Sequence, residues 1–351
     1  MKEAGYCLPL ITLVNTIKVK AMIKKLSTKL LATIAIIATC TLTVNAQQDP
    51  QYTQFMYNKL PQNAAYTGSR EVLSIRMLYR TQWAGNKNGG TVGAPQTASF
   101  TIHSPLKNEH FALGFFYTND RLGKEHKNQF NVTYAYRVAL GKKVKLSLGI
   151  NAGIMWYKWN GLQERAYDFG DPTVENVSRV LPDVGAGLYV YHPNFYFGAS
   201  VPNFIKGDLN NRKSVGEAKR TPHVVLMAGG VIPAGKVLKI RPQIQYRYIA
   251  NAVQRIPHTF DFNLSLLIYD RVNIGGQYRT SFGNKSNNVK LLDPDSFDVM
   301  LEVWPTKQLM IGYAYDYTLT KLGNYNRGSH EVIIGYDFGF EKKRVITPRY
   351  F

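Results

Sequence analysis

Cysteine is scarce in this sequence, and long apolar runs are absent from its body. The 351 residues include 2 cysteines, Cys7 and Cys40, so a disulfide framework is not expected to support the fold. Beyond the N-terminal region, no stretch reaches the roughly 18 unbroken apolar residues that a membrane-spanning helix requires. The 7 histidines are scattered along the chain, and together with the lack of cysteine this argues against a metal site.

Catalytic motifs are also lacking. His330 and Glu331 are not followed by the second histidine of a zinc-protease helix, and they lie in a predicted strand. The glycines occur singly or as pairs such as Gly275-Gly276, which is not the pattern of a phosphate-binding loop. We therefore expect a protein that is not an enzyme, with no catalytic, cofactor-binding or metal-binding residues.

The N-terminus has the features of a cleaved leader. An apolar run over residues 30–44 follows three lysines, Lys24, Lys25 and Lys29, and ends at the small-x-small site before Gln47. Cleavage after Ala46 would remove both cysteines. A membrane anchor helix is the alternative, and a lipoprotein site is disfavoured because Thr39 is too large for its position. Residues 1–21 do not fit a leader, which makes Met22 an alternative start.

The charge balance is strongly basic. Lys and Arg number 43 against 23 Asp and Glu, a formal net charge of +20. The basic residues do not gather into one stripe, as nucleic-acid binding would favour. They alternate with apolar residues or lie in turns. We therefore predict a charged, wet interior and attraction to anionic lipid or partner surfaces, with no nucleic-acid partner.

Aromatic residues are abundant, with 23 Tyr and 17 Phe, and most lie in segments of period two. In residues 130–140, Phe130, Val132 and Tyr134 begin an apolar face, while Asn131 and Thr133 begin a polar or small one. Alternate side chains of a strand point to opposite faces. Each such segment is therefore predicted to be a strand with one apolar and one polar face.

Fourteen such strands are predicted, and their connections alternate between short and long. The strands are 72–83, 96–103, 111–119, 129–140, 144–159, 183–191, 194–201, 223–232, 238–248, 259–269, 271–279, 296–304, 308–317 and 330–340. The long connections are 84–95, 120–128, 160–182, 202–222, 249–258, 280–295 and 318–329. Pro242 lacks the N–H that a ladder needs and is predicted to mark a bulge.

This alternation predicts the fold class. Short periplasmic turns and long extracellular loops are typical of outer-membrane barrels, and a closed barrel pairs every backbone group without a free edge. The fold is therefore predicted to be an all-β transmembrane antiparallel β-barrel of about 14 strands in the cell outer membrane. Tryptophans near strand ends are predicted to form interfacial girdles: Trp83, Trp156, Trp159 and Trp304.

The strand faces also predict which charges line the barrel. The basic members are Arg76, Arg80, Arg137, Lys145, Lys239, Arg241, Arg247 and Arg279, and the acidic members are Asp261, Asp298, Glu302, Asp316 and Asp337. One interpretation is an anion-selective lining. The favoured one is a plugged lumen in which these charges pair, because a barrel of this size has little spare bore.

The leader and the strand pattern together divide the chain into four regions. They are a signal peptide over residues 1–46, a periplasmic N-terminal segment over 47–71, the barrel over 72–340 and a periplasmic tail over 341–351.

Several segments along the chain have a distinctive sequence, among them Asp49-Pro-Gln-Tyr-Thr-Gln-Phe-Met-Tyr-Asn58, Leu78-Tyr-Arg-Thr-Gln-Trp-Ala-Gly85, Asn119-Asp-Arg-Leu-Gly123, Gly312-Tyr-Ala-Tyr-Asp-Tyr317 and the ending Pro348-Arg-Tyr-Phe351. Taken together and in this order, they resemble the PorP/SprF family of type IX secretion membrane proteins found in Bacteroidota. A small departure is Asn63-Ala64-Ala65, where the family usually has Asn-Pro-Ala.

The resemblance implies a function that periodicity does not. It implies an outer-membrane component of the type IX secretion and gliding machinery that exports or anchors a large surface adhesin, or docks periplasmic secretion subunits. The implied partners are outer-membrane lipid, periplasmic type IX subunits and the secreted adhesin cargo. The alternative function is a passive channel or small-solute transporter with a charged lumen.

Overall fold

The computed structural model describes residues 50–84, 94–107, 109–160, 176–209, 219–249, 258–282, 293–324 and 326–339. The predicted leader and the predicted C-terminal tail lie outside these residues, so both remain predictions. These residues contain two short 3-10 turns, Ala64–Tyr66 and Lys321–Asn324. No helix in the described residues is long and apolar enough to cross a membrane.

Fourteen antiparallel strands form a closed barrel. They are β1 (Leu73–Thr81), β2 (Gln96–Pro105), β3 (Phe111–Leu122), β4 (Glu125–Ala139), β5 (Lys145–Trp159), β6 (Val177–His192), β7 (Phe195–Val201), β8 (His223–Gly230), β9 (Leu238–Ile249), β10 (His258–Ile268), β11 (Val272–Phe282), β12 (Asp293–Val303), β13 (Leu309–Thr318) and β14 (Ser329–Phe338). Each strand pairs with its neighbours in sequence, and β14 pairs with β1 from Leu73↔Phe338 to Thr81↔His330. The predicted fold class is confirmed.

The strand faces are inverted relative to those of a soluble protein. Val132 on β4 and Leu264 on β10 point outward and are each 57% exposed, whereas Asp261 and Glu302 point inward and are fully buried. The outer wall is therefore apolar and the interior polar. This is the arrangement that a barrel needs when hydrocarbon surrounds it.

The two ends of the barrel differ in their connections. At one end, here the short-turn end, strands join through residues 106–110, 140–144, 193–194, 231–237, 269–271 and 304–308. At the other, the long-loop end, most connections are longer. A small strand pair there, Gly207–Asp208 with Lys219–Arg220, lies within the β7–β8 connection.

One predicted long loop is wrong. Residues 120–128 form the tip of the β3–β4 hairpin, whose turn contains Gly123 at φ +59°. The β6 strand likewise begins at Val177, inside the predicted loop 160–182. In residues 120–128 the outward positions Arg121, His126 and Asn128 are polar, so the alternation that identifies a membrane-facing strand is lost.

Pro242 does not mark a bulge. Pairing between β8 and β9 stops at Gly229↔Gln243, and the short segment Ile232–Ala234 that follows β8 pairs with β9 in the same register, starting at Ile232↔Ile240. Pro242 keeps its place opposite β10. The missing N–H therefore interrupts one ladder without shifting it. A register shift occurs instead between Arg279 and Thr280 of β11.

Candidate functional site: the filled lumen

The N-terminal segment, residues 50–71, lies inside the barrel. Every residue from Tyr52 to Arg70 except Pro61 is buried. The sequence predicts a periplasmic N-terminal segment over residues 47–71, and in the structure its described part, residues 50–71, lies within the barrel. Because polar groups from many strands point into the lumen, a polar chain there is satisfied by hydrogen bonds that an apolar core would not offer.

The segment spans the lumen from one end to the other. Near the long-loop end, Arg247 donates to the carbonyl oxygen of Pro50 at 3.4 Å and Arg279 donates to that of Tyr52 at 3.3 Å. At the short-turn end, Lys145 of β5 forms an ion pair with Glu71. We refer to residues 50–71 as the plug.

A carboxylate on β14 binds the first turn of the plug. Glu331 accepts the backbone N–H of Thr53 at 2.9 Å and that of Gln54 at 2.6 Å. Arg80 of β1 donates to the Thr53 hydroxyl and lies 3.3 Å from Glu331. These buried, charge-assisted bonds are stronger than bonds between neutral groups.

A lysine of the plug lies among aromatic rings. The Lys59 Nζ is 3.7 Å from the ring centroid of Tyr196 and 5.3 Å from that of Tyr66, which stabilises the buried cation.

Glycines on the inner wall make room for the 3-10 turn Ala64–Tyr66. A Cβ at Gly149 would lie 2.3 Å from the Ala65 nitrogen, and one at Gly187 would lie 2.1 Å from the Asn63 side-chain oxygen. Asn63 caps the turn by accepting the Ala65 N–H at 2.9 Å. The plug backbone therefore packs directly on the barrel backbone.

The part of the plug that approaches the short-turn end is held by polar contacts. The hydroxyls of Thr67 and Thr133 are 2.8 Å apart. Arg137 donates to the Gly68 carbonyl at 2.6 Å. Arg70 forms an ion pair with Asp337 at 2.6 Å. Contacts of this kind along the whole plug hold it in one position.

The charges predicted to line the lumen lie close together. Arg80 is 2.7 Å from Asp316, which is 3.6 Å from Arg279. Arg279 is 2.5 Å from Asp261, which is 3.7 Å from Arg247. Such ion pairs are what the prediction of a plugged lumen with paired charges implies. Because removing charges from water is costly, these pairs fix the positions of the side chains more than they stabilise the fold.

The other charged residues that were predicted to line the lumen also have partners. Asp298 accepts a bond from Gln277 and Glu302 one from Asn273. Lys239 lies at the short-turn rim, where it pairs with Asp270 at 2.6 Å. The remaining members contact the plug or pair with residues that contact it, namely Arg76, Arg137, Lys145, Arg241 and Asp337.

Sequence reasoning missed two parts of this site. Glu331 was considered only as half of a metal motif, although it continues the inward face of β14 that includes Asp337. Trp304 was predicted at the membrane interface, but it is buried with its ring centroid 6.1 Å from that of Tyr57 in the plug. The signal was its spacing, because Trp304 lies two residues after the inward-facing Glu302 and so continues the inward face.

A cavity of about 290 Å³ opens above the plug at the long-loop end. Pro50 and Gln51 border it, and its charged lining residues are Arg80, Asp120, Arg279, Asp295 and Asp316. Among the described residues, no group of three or more His, Cys, Asp or Glu is arranged to hold a metal ion.

A closed barrel with an apolar wall and a filled polar lumen defines the class of this molecule as an outer-membrane β-barrel protein. The family model for the type IX secretion system membrane protein PorP/SprF matches residues 44–336. The chain belongs to the PorP/SprF family, as the sequence motifs indicated, and is a membrane component of that secretion system.

Solved outer-membrane proteins are similar to this chain at low sequence identity. The Ralstonia pickettii toluene transporter TbuX is 11% identical, with 79% of this chain and 92% of that chain covered and a TM-score of 0.46. The Acinetobacter baumannii protein Omp33 is 9% identical, with 77% and 100% covered and a TM-score of 0.41. No functionally curated protein matches the sequence.

Proposed function

We propose that this chain is a non-enzymatic, closed barrel of the type IX secretion and gliding machinery, needed to export or anchor a large surface adhesin. Family membership supports the machinery. The plug is the observation that supports a closed barrel, because a lumen filled by residues 50–71 leaves no room for an unfolded cargo chain. Partners then bind the ends and loops of the barrel.

The short-turn end is proposed to face the periplasm, with the mature chain starting at Gln47. Loop lengths support this orientation. Exposed cations surround that end, namely Lys107, Lys142, Lys143, Lys236, Arg271 and Lys307. This charge suits docking of an acidic surface on periplasmic secretion subunits.

Gene deletion tests the role in secretion. The deletion strain is expected to lose surface display of the adhesin and gliding, and re-expression of the wild-type chain is expected to restore both. Unchanged display and gliding in the deletion strain would rule out this role.

Replacing four of the exposed cations tests the docking end. The variant K142Q/K143Q/K236Q/K307Q is expected to co-purify less of the periplasmic subunits than the wild type. Undiminished co-purification would place docking elsewhere on the barrel.

The alternative function, a passive channel, is favoured only by the charged lumen and the cavity above the plug. Conductance in planar bilayers separates the two functions. A closed barrel is expected to be silent, whereas a stable open pore would support the channel.

A further inference from the structure

Three basic side chains form a row on the outward face at the long-loop end. Arg121 of β3 is directly opposite His126 of β4, and His126 is directly opposite Lys158 of β5. Residues opposite each other in antiparallel strands have their Cβ atoms roughly 5 Å apart. We call Arg121, His126 and Lys158 the basic row.

Nearby acids do not neutralise the basic row. Asp120 accepts a bond from Thr97 at 2.7 Å, and the inward-facing Glu125 pairs with Lys127 at 3.4 Å. In the described parts of β2 to β6, no outward position near this end carries a carboxylate. Arg121 and Lys158 lie on either side of His126 with no carboxylate facing them, so the row favours an anionic ligand.

The residues beneath the basic row place it at a membrane surface. One step towards the short-turn end, Asn119 donates to Asn128 at 2.7 Å, and the Trp156 indole lies 3.7 Å below the Lys158 Nζ. A further step down, the rings of Tyr117 and Phe130 are 4.7 Å apart, above the exposed apolar wall.

Along the outer wall, from the long-loop end towards the short-turn end, cationic side chains are therefore followed by amides, then by aromatic rings and then by aliphatic side chains. Aromatic belts mark the level of lipid headgroups. The basic row, which lies just above such a belt, is therefore at the height of headgroup phosphates.

We propose that the basic row binds the phosphate of a phosphorylated glycolipid of the outer leaflet, of the lipid A class. Charge complementarity and height both favour this ligand, and the Arg121 guanidinium offers a planar donor fork to phosphate oxygens. The proposal rests on the proposed orientation, with the long-loop end at the cell surface. It gives the barrel a fixed lipid neighbour on the β3–β5 side.

Native mass spectrometry of the full chain in detergent, titrated with bisphosphorylated lipid A, tests the site. The variant R121Q/K158Q is expected to bind about 30-fold more weakly than wild type, since each cation near an anionic surface contributes roughly fivefold. The matched control K142Q/K143Q loses the same charge at the other end and is expected to bind as wild type does. Retained heat-modifiable mobility on gels verifies folding of both variants.

Two further lipids test which chemical group the basic row binds. Dephosphorylated lipid A is expected to bind the wild type as weakly as bisphosphorylated lipid A binds R121Q/K158Q. Equal binding of lipid A by R121Q/K158Q and wild type would overturn the site. Row-dependent binding of phosphatidylglycerol with equal affinity would overturn the glycolipid assignment.

A separate measurement tests the orientation. Cys7 and Cys40 are the only cysteines in the sequence, so a G123C variant carries one cysteine once the leader is removed. A membrane-impermeant maleimide is expected to label G123C in intact cells and to leave K143C unlabelled. The reverse pattern would overturn the orientation and the outer leaflet as the source of the lipid, independently of lipid A binding in detergent.

Discussion

Glu331 accepts the backbone N–H of Gln54 at 2.6 Å, although 277 residues separate them in the sequence. One belongs to the last barrel strand and the other to the chain that precedes the first. This bond joins the plug to the strand pair β14–β1 that closes the barrel. Seating of the plug and closure of the barrel are therefore structurally connected.

The substitution E331Q is expected to loosen the plug. It removes the charge that faces Arg80 and weakens the acceptor for two plug amides, and loss of one partner of a buried ion pair costs about 3 kcal/mol or more. Trypsin can cut after Lys59 only when the plug leaves the lumen, because Lys59 is fully buried. Faster cleavage at Lys59, measured by mass spectrometry, is the expected result.

The matched control for this change is E109Q, since Glu109 is exposed at the short-turn end. Its cleavage at Lys59 is expected to equal that of the wild type. Equal protection of E331Q and E109Q would show that Glu331 does not hold the plug.

The substitution G149A is expected to displace the 3-10 turn of the plug. The added Cβ would lie 2.3 Å from the Ala65 nitrogen, and overpacking of this kind typically costs about 1–3 kcal/mol. Urea unfolding followed by tryptophan fluorescence measures the loss. In the control G276A, the nearest atom to the new Cβ is 3.7 Å away, so its stability is expected to match the wild type.

The fold was predictable because the bilayer imposes alternation on every strand. Phe130, Val132 and Tyr134 on one face of β4 indicate lipid on one side and polar surroundings on the other, and the inward charges follow from the same pattern. Prediction failed where this constraint ends. The outward positions of the β3–β4 hairpin are polar between residues 120 and 128, so this stretch resembles a loop.

The plug was not predictable from its own sequence. Residues 50–71 have no period, and their conformation depends on partners far away in the chain, such as Glu331, Gly149 and Thr133. The polar, Gln- and Asn-rich composition fits a solvated segment equally well. Only the tertiary structure shows that the lumen supplies the hydrogen bonds that water would otherwise provide.

The substitution V132K tests the outer wall. Val132 is at the middle of β4 and points outward with 57% of its surface exposed. A lysine at the bilayer midplane costs about 2–4 kcal/mol and one near an interface about 0–1. Unfolding in lipid vesicles should therefore show a large loss for V132K and little for the control V237K, at the short-turn end. Equal losses would place Val132 outside the hydrocarbon.

A disulfide between positions 67 and 133 is expected to lock the plug in place. The hydroxyl oxygens of Thr67 and Thr133 are 2.8 Å apart, which suits the Cβ spacing of roughly 4 Å that a disulfide needs. In T67C/T133C, the linked peptides should appear in non-reducing digests of protein taken from intact cells. The control T67C/T259C places the second cysteine near the opposite end of the lumen and is expected not to link.

The same variant separates a closed barrel from a gated one. If partners bind only the ends and loops, cells carrying the linked T67C/T133C protein should display the adhesin as the wild type does. A loss of display that a reductant restores would mean that the plug must move during export, which contradicts the closed role. Failure of T67C/T133C to link in cells would mean that Thr67 does not lie against Thr133 in the membrane.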